Sequence, residues 1–296
     1  MNVLSLFDGI SCGQIALNRA GISYDKYYAS EIDKHAIKVT QHNYPNTIQL
    51  GSVTDIKGTD LPQIDLLIGG SPCQGFSFSG KQLNFDDQRS KLFFEFVRLV
   101  KECKPKYWLL ENVIMKKEFE QVITKHLGVE PIKINSALVS AQNRERLYWA
   151  NFPIEQPIDK GIKLINILED TEMIKPSAIR GRRLNDKGKQ EYYNKEIPIT
   201  QCLEIRATNQ DKSNCLTTVP KDSVLTTIPA GRYPNAFKNN LPFRYYTIKE
   251  YCRLQTVPEN YFDGVVTENQ IRKMIGNSWT VDVIVHVFKG LLNENL

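Results

Sequence analysis

The chain has 296 residues, 41% hydrophobic and 24% charged, too apolar for a disordered chain and long enough for one large domain or a main domain with a smaller companion. No apolar run approaches the about 20 residues of a spanning helix, and Met1–Leu6 enters a strand pattern without the flanks of a signal peptide, so a soluble, cytoplasmic protein is expected. A formal charge of +5, from 38 basic and 33 acidic side chains, permits a polyanionic partner without demanding one.

Val3–Phe7 reads as a strand, followed by a Gly-containing turn and a helix through Gln14–Arg19. Tyr27–Ser30 is a second strand ending in Glu31 and Asp33; a helix through His35–Asn43 and a strand near Ile48–Leu50 follow, with Asp55 just beyond. Leu66–Ile68 is a short buried strand running into Gly69-Gly70-Ser71-Pro72. Lys91–Lys101 has helical spacing, and Tyr107–Leu110 is a strand ending in Glu111-Asn112-Val113. Gln142-Asn143-Arg144-Glu145-Arg146 precedes a strand at Leu147–Asn151. Strand and helix alternating at this pitch predict parallel βαβ units and a doubly wound sheet. After about Phe152 the character changes. Glu155 to Asn240 is polar, with scattered Pro, Gly and Asn and a basic cluster at Arg180, Arg182 and Arg183. Within it, Cys215–Val219 and Val224–Ile228 read as a hairpin pair. From Tyr246 the regular pattern returns and ends in an apolar helix around Val281–Leu292, able to pack back on the first sheet.

The chemistry-bearing residues gather at predicted strand ends. The turn Phe7-Asp8-Gly9-Ile10 lies between a strand and a helix, where glycine lets the backbone approach a ligand and the helix N-terminus favours negative charge. An acidic residue after the second strand, Glu31, can accept both ribose hydroxyls, and Asp55 follows the third. Acidic groups at successive ends of a parallel sheet suggest a nucleoside-bearing cofactor. Cys73, between Pro72 and Gln74 after the fourth strand, is placed like a nucleophile, although a lone cysteine is usually structural. Phe76 to Arg89 reads as an active-site loop able to meet a phosphate backbone through Lys81 and Arg89. Glu111, at an adjacent strand end, reads as a general acid or as an ordinary sheet-edge carboxylate. Arg144 and Arg146, at i and i+2, share one face of an extended segment and can fork onto a phosphate or carboxylate, or pair with surface acids. The six cysteines form no C-x-x-C pair or zinc spacing, so no metal site is expected and five of them read as reduced and structural.

Taken in order, Phe7-Asp8-Gly9, Glu31, Asp55, Pro72-Cys73-Gln74, Glu111-Asn112-Val113, Gln142-x-Arg144-x-Arg146, Glu250-x-Cys252-Arg253-Leu254-Gln255 and Gly276-Asn277-Ser278 resemble the C5-cytosine DNA methyltransferase family. The match covers about residues 1–152 and 246–292. Phe7-Asp8-Gly9-Ile10 and the segment 89–96 look like its compact branch, which includes phage enzymes and the animal de novo methyltransferases. Ser11-Cys12 depart from the glycines often found in the cofactor loop.

The resemblance implies an α/β fold: a Rossmann-like, doubly wound, mostly parallel sheet over residues 1–153, a smaller irregular β-rich recognition domain over 154–240, and a segment 241–296 returning to the first. It implies S-adenosyl-L-methionine as cofactor, leaving as S-adenosyl-L-homocysteine. By matched position Phe7 would stack on adenine, Glu31 would hold the ribose and Asp55 would bond the adenine amino group. Asp8, Gly9, Ile10, Ile32, Ile56, Pro72, Leu92, Asn277 and Ser278 would line the rest of the pocket. Cys73 would add to C6 of a flipped cytosine, Glu111 would protonate N3 and Arg144 would contact the base carbonyl, with Arg146 structural. Gln74, Ser77, Lys81, Arg89, Arg180, Arg182 and Arg183 would touch DNA. The expected partner is double-stranded DNA, acted on by a monomer, with a cognate restriction endonuclease as the protein partner of a restriction–modification setting. A tRNA cytosine methyltransferase on the same frame and a non-catalytic DNA-binding relative are the alternatives; the former characteristically carries a Cys-Phe-Thr triplet absent here.

Overall fold

The computed structural model describes residues 1–72, 88–169, 172–206 and 211–293. Its first elements are β1 (Asn2–Leu6), α1 (Cys12–Arg19), β2 (Lys26–Ser30), α2 (Lys34–Asn43), β3 (Ile48–Gln49), β4 (Leu66–Gly69), α3 (Gln88–Cys103), β5 (Tyr107–Val113), α4 (Lys117–Leu127), β6 (Ile132–Asn135) and β7 (Glu145–Ala150). The seven strands form one sheet in the order β3-β2-β1-β4-β5-β7-β6. The first five are parallel, whereas β7 runs antiparallel to both β5 and β6.

The period-2 alternation of buried residues explains why both faces are covered. Val3, Tyr27, Leu66, Ile68, Leu109 and Tyr148 point into one apolar cluster with α1 and α2. Leu4, Leu6, Tyr28, Leu67, Leu110 and Trp149 point into the other, against Phe93 and Phe96 of α3 and Phe119 and Ile123 of α4. From β1 the chain winds outward through β2 and β3, and from β4 it winds the other way into β5. That reversal opens a crevice between the carboxyl ends of β1 and β4, where ligands of such sheets bind.

The second sheet contains β8 (Lys175–Arg183), β9 (Ile199–Ile205), β10 (Val224–Thr226), β11 (Gly231–Tyr233) and β12 (Phe243–Tyr245), ordered β11-β9-β8-β10-β12 with every pairing antiparallel. Its small core is Ile179, Leu203, Ile205, Val224 and Ala236. The expected hairpin of Cys215–Val219 with Val224–Ile228 does not form. β10 pairs with β8 and β12 instead, and Leu216, 1% exposed, belongs to the larger core. Local β-propensity is overridden there by burial of one leucine.

The chain closes with α5 (Ile248–Gln255), α6 (Glu268–Asn277) and α7 (Val281–Asn293), packed in the cluster that holds α1 and α2. No helix of the described residues is long and apolar enough to cross a membrane. A capping box starts α5: Thr247 Oγ1 accepts from Glu250 N, and Glu250 accepts from Thr247 N. Glu250 is fully buried and also takes two bonds from Arg244, at 2.8 and 2.9 Å, and one from Glu169 N. Glu250→Ala would remove an acceptor shared by three segments. A loss of about 3–5 kcal/mol is expected, read as a melting midpoint lowered by about 10 °C.

Candidate active site

A cavity of about 410 Å³ opens at the crevice, within the size range of small-molecule sites. The β1–α1 turn forms its floor, and it is bent sharply: Phe7, Gly9 and Ser11 all take the left-handed conformation, with φ of 59°, 59° and 61°. For Phe and Ser that conformation is costly, and such strain concentrates where backbone is shaped around a ligand. Glu31, at the end of β2, is fixed by backbone amides. Gly9 N donates to one carboxylate oxygen at 2.8 Å, while Ile32 N and Asp33 N donate to the other at 2.7 and 2.8 Å.

Beside them Asp8 is half-buried, with its carboxyl oxygen Oδ2 shielded from solvent. Its Oδ1 accepts from the Tyr27 hydroxyl at 2.8 Å, and its Oδ2 has no hydrogen-bond partner among the described residues. Burial pushes the carboxyl from its ordinary 3.8 up to about 6, against the lowering effect of its hydroxyl neighbours. Between those two values the folded protein keeps a proton that the unfolded chain has released. Stability therefore falls as pH rises through that window, by about 3 kcal/mol when ionisation is complete. The melting midpoint of Asp8→Asn minus that of the parent chain, measured without added ligand, is expected near zero at about pH 4 and several degrees positive by about pH 7.5. A flat difference across that range would refute the assignment.

The other end of the cavity is built by β5 and β7. Glu111 and Asn112 sit at the end of β5, and the register pairs Glu111 with Tyr148 and Val113 with Arg146. Arg146 thus lies diagonally across from Glu111, its Nε 3.1 Å from Oε1. Trp279 Nε1 donates to the other oxygen at 3.1 Å. Asn112 Nδ2 donates to the Ser71 hydroxyl at 3.1 Å and tethers the segment leading to Pro72. Arg144 does something different. Its guanidinium donates to the carbonyls of Leu216, Gly276 and Ser278 at 3.1, 3.3 and 2.9 Å, and to Cys215 Sγ at 3.4 Å. Burial, then the neighbouring Arg146 charge, holds its pKa below the usual guanidinium value. Gly276 makes this junction possible, because a Cβ there would lie 2.3 Å from Thr217 O.

One cavity gathers Phe7, Asp8, Gly9, Ile10, Glu31, Ile32, Pro72, Leu92, Asn277 and Ser278 with Glu111, Arg144 and Arg146. Asp55 and Ile56 stand outside its lining. The strand β3 is only two residues long, so the cavity is reached by Ser52 and Val53, and Asp55 is exposed one short turn further on. The geometry sets the two arginines apart: Arg146 faces Glu111, and Arg144 is a buried clamp on three backbone carbonyls. Cys73, Gln74, Ser77 and Lys81 lie outside the described residues, as does the side chain of Arg89. The basic cluster of β8 is divided. Arg182 forks onto Glu204 at 2.6 and 2.7 Å, and Arg180 is 3.7 Å from Asp222, both on the strand side opposite Arg183. Two further cysteines behave as expected of structural thiols: burial pushes Cys12 and Cys252 up to about 12. Sequence reasoning missed Ser52, Val53, Gly70 and Trp279. For Trp279 the signal was an aromatic directly after Gly276-Asn277-Ser278, at the start of an apolar helix.

Solved structures share this fold: DNMT2 of Spodoptera frugiperda superposes with a TM-score of 0.68 at 20% identity, covering 98% of this chain and 99% of that one. A DNA modification methyltransferase encoded in an E. coli prophage does so with a TM-score of 0.66 at 22% identity, covering 99% of both chains. In sequence, the chain is 31% identical over 322 residues to the type II methyltransferase M1.ScrFI of Lactococcus lactis subsp. cremoris, covering 98% of this chain and 77% of the relative. It is 29% identical over 308 residues to M.HaeII of Haemophilus aegyptius, covering 98% and 92%. The profile of C-5 cytosine-specific DNA methylases matches residues 1–293, and with the strand-end cavity and the Glu111–Arg146 pair on one wall of it, the chain belongs to that family.

Proposed function

We propose that this DNA cytosine methyltransferase acts as a monomer on duplex DNA, methylating C5 of a cytosine swung out of the helix at a short recognition sequence. The observation that carries the proposal is the continuity of one cavity, from the amide-held carboxylate of Glu31 to the carboxylate–guanidinium pair of Glu111 and Arg146. The residues at its first end fit S-adenosylmethionine. Glu31 suits two ribose hydroxyls, Phe7 and Ile32 suit an adenine, and Asp8 Oδ2, buried and without a partner among the described residues, suits a cationic group. Ser52 and Val53 take the adenine edge first expected of Asp55 and Ile56. When bound, that cofactor supplies an electrophilic methyl group on a sulfonium.

C5 of cytosine is too poor a nucleophile to take that methyl unaided. We assign Cys73, on the sequence pattern, as the thiolate that adds to C6 and leaves the ring enamine-like at C5. Glu111 donates a proton to N3, so the electron pair displaced toward N3 is neutralised. Arg146 rather than Arg144 is assigned to the base carbonyl oxygen, since its guanidinium is the one beside Glu111. After transfer, loss of the C5 proton to water, departure of the Cys73 thiolate and return of the N3 proton to Glu111 restore the aromatic ring and the enzyme. These atoms are out of reach inside a stacked duplex, hence the extruded base.

The second sheet is assigned to sequence recognition. The connection between β8 and β9 carries Lys187, Lys189 and Lys195 together with Tyr192 and Tyr193, which are 73% and 96% exposed. Basic residues interleaved with exposed aromatics suit phosphate and base contacts. A cognate restriction endonuclease is the partner suggested by the type II relatives.

Bisulfite sequencing of plasmid DNA and total RNA, from a host without cytosine methylation of its own, tests the proposal. Conversion-resistant cytosines are expected at one short motif in the plasmid and nowhere in tRNA. Complete conversion of the plasmid, with the protein present and folded, would overturn it.

A further inference from the structure

Trp279 has no part in the chemistry above, yet it stands where the two ends of the cavity meet. Its ring nitrogen can only donate, and it donates to Oε2 of Glu111 at 3.1 Å while Arg146 Nε holds Oε1. It directly continues Gly276-Asn277-Ser278, the wall at the cofactor end, whose carbonyls at Gly276 and Ser278 are held by Arg144. Its own carbonyl accepts from the Cys12 thiol in the first turn of α1. On the far side Gly70 leaves no spare room: a Cβ there would lie 2.8 Å from Trp279 Nε1 and 3.1 Å from Glu111 Oε2. The indole is confined from three directions and faces one acceptor.

We infer that Trp279 is a positioning residue for Glu111, its N–H fixing the plane of the carboxyl from the cofactor wall so that one edge is presented to the flipped ring. The inference rests on Glu111 as the proton donor to N3. The terminal torsion of a glutamate is broad and soft, so a carboxyl tied at one oxygen can turn, whereas one tied at both is held. Phenylalanine at this position keeps an aromatic body and loses the tie.

The test compares single-turnover methylation of a saturating target duplex by wild type, Trp279→Phe, Gly70→Ala and the double variant, alongside calorimetric affinity for S-adenosylhomocysteine. Trp279→Phe is expected to slow the methyl-transfer step by about 10- to 100-fold, the size of a lost hydrogen bond to a charged group. Its affinity for S-adenosylhomocysteine should stay within about threefold of wild type. Gly70→Ala, which presses a Cβ onto the same two atoms, should slow transfer comparably. The losses should not multiply in the double variant, because both changes break one contact. A wild-type rate in Trp279→Phe, losses that multiply, or a fall in cofactor-analogue affinity that matches the fall in rate would each overturn the inference. Wild-type protein that leaves every plasmid cytosine convertible would instead remove the functional reading beneath it, and that control separates the two failures.

Discussion

Replacing Cys73 by alanine is expected to reduce methyl transfer by at least about 10⁴-fold, because removal of a covalent nucleophile leaves only binding and electrostatic stabilisation. DNA binding by the variant should persist, since phosphate contacts do not depend on one thiol. The decisive measurement uses duplex DNA carrying 5-fluorocytosine at the target. After thiolate addition and methyl transfer, C5 holds fluorine and methyl and has no proton to lose, so the thiolate cannot be expelled. Wild type plus cofactor should give a protein–DNA species that survives denaturant, and Cys73→Ala should give none. A denaturant-stable species formed by the alanine variant would move the nucleophile elsewhere, and normal methylation by Cys73→Ser would do the same.

Glu111→Gln should cost about 10² to 10⁴ in the transfer rate, the range for a positioned general acid, with little effect on folding. The amide keeps the shape of the carboxyl but cannot deliver a proton to N3, and it leaves Arg146 without its anion. The arginines provide the internal comparison. Arg146→Lys keeps the charge and loses the planar fork, so activity should fall while the melting midpoint holds. Arg144→Lys removes donors from the Leu216, Gly276 and Ser278 carbonyls, so the melting midpoint should fall as well. Parallel assays of rate and thermal unfolding on the two lysine variants separate the roles. The reverse pattern would restore Arg144 as the base contact.

The different settings of the two arginines mark the limit of what the residues disclose. The parallel strands were legible as strands because buried ones read as short apolar runs ending near glycine or an acid, whereas their order in the sheet and the strand β6 were not read from the sequence. The same logic found Glu31 and Glu111, whose positions follow from β2 and β5. Arg144 is different: its acceptors are carbonyls 72, 132 and 134 residues away, and every residue type carries a carbonyl. No local pattern encodes such a partner. Asp55 makes a related point: a carboxylate after a strand draws the eye, while in the structure Ser52 and Val53 line the cavity and Asp55 stands outside it. The Thr-Thr fragments misled because their shared propensity says nothing of where Leu216 is buried.

The antiparallel edge of the large sheet has an arithmetic consequence. Arg146 and Tyr148 point to one side of β7, and Leu147 and Trp149 to the other, with Glu145 among the latter by alternation and paired to Lys133 at 3.1 Å. Whether Glu111 meets a cation is therefore a matter of odd and even. One residue inserted between β6 and β7, if taken up as a slip in pairing, would turn Glu145 toward Glu111 and both arginines away. Two inserted residues would restore the polarity and merely shift the pair along the strand. The sign of the charge opposite Glu111 thus follows the parity of the spacing between β6 and β7, and insertion of one residue there should abolish methylation where insertion of two retains part of it.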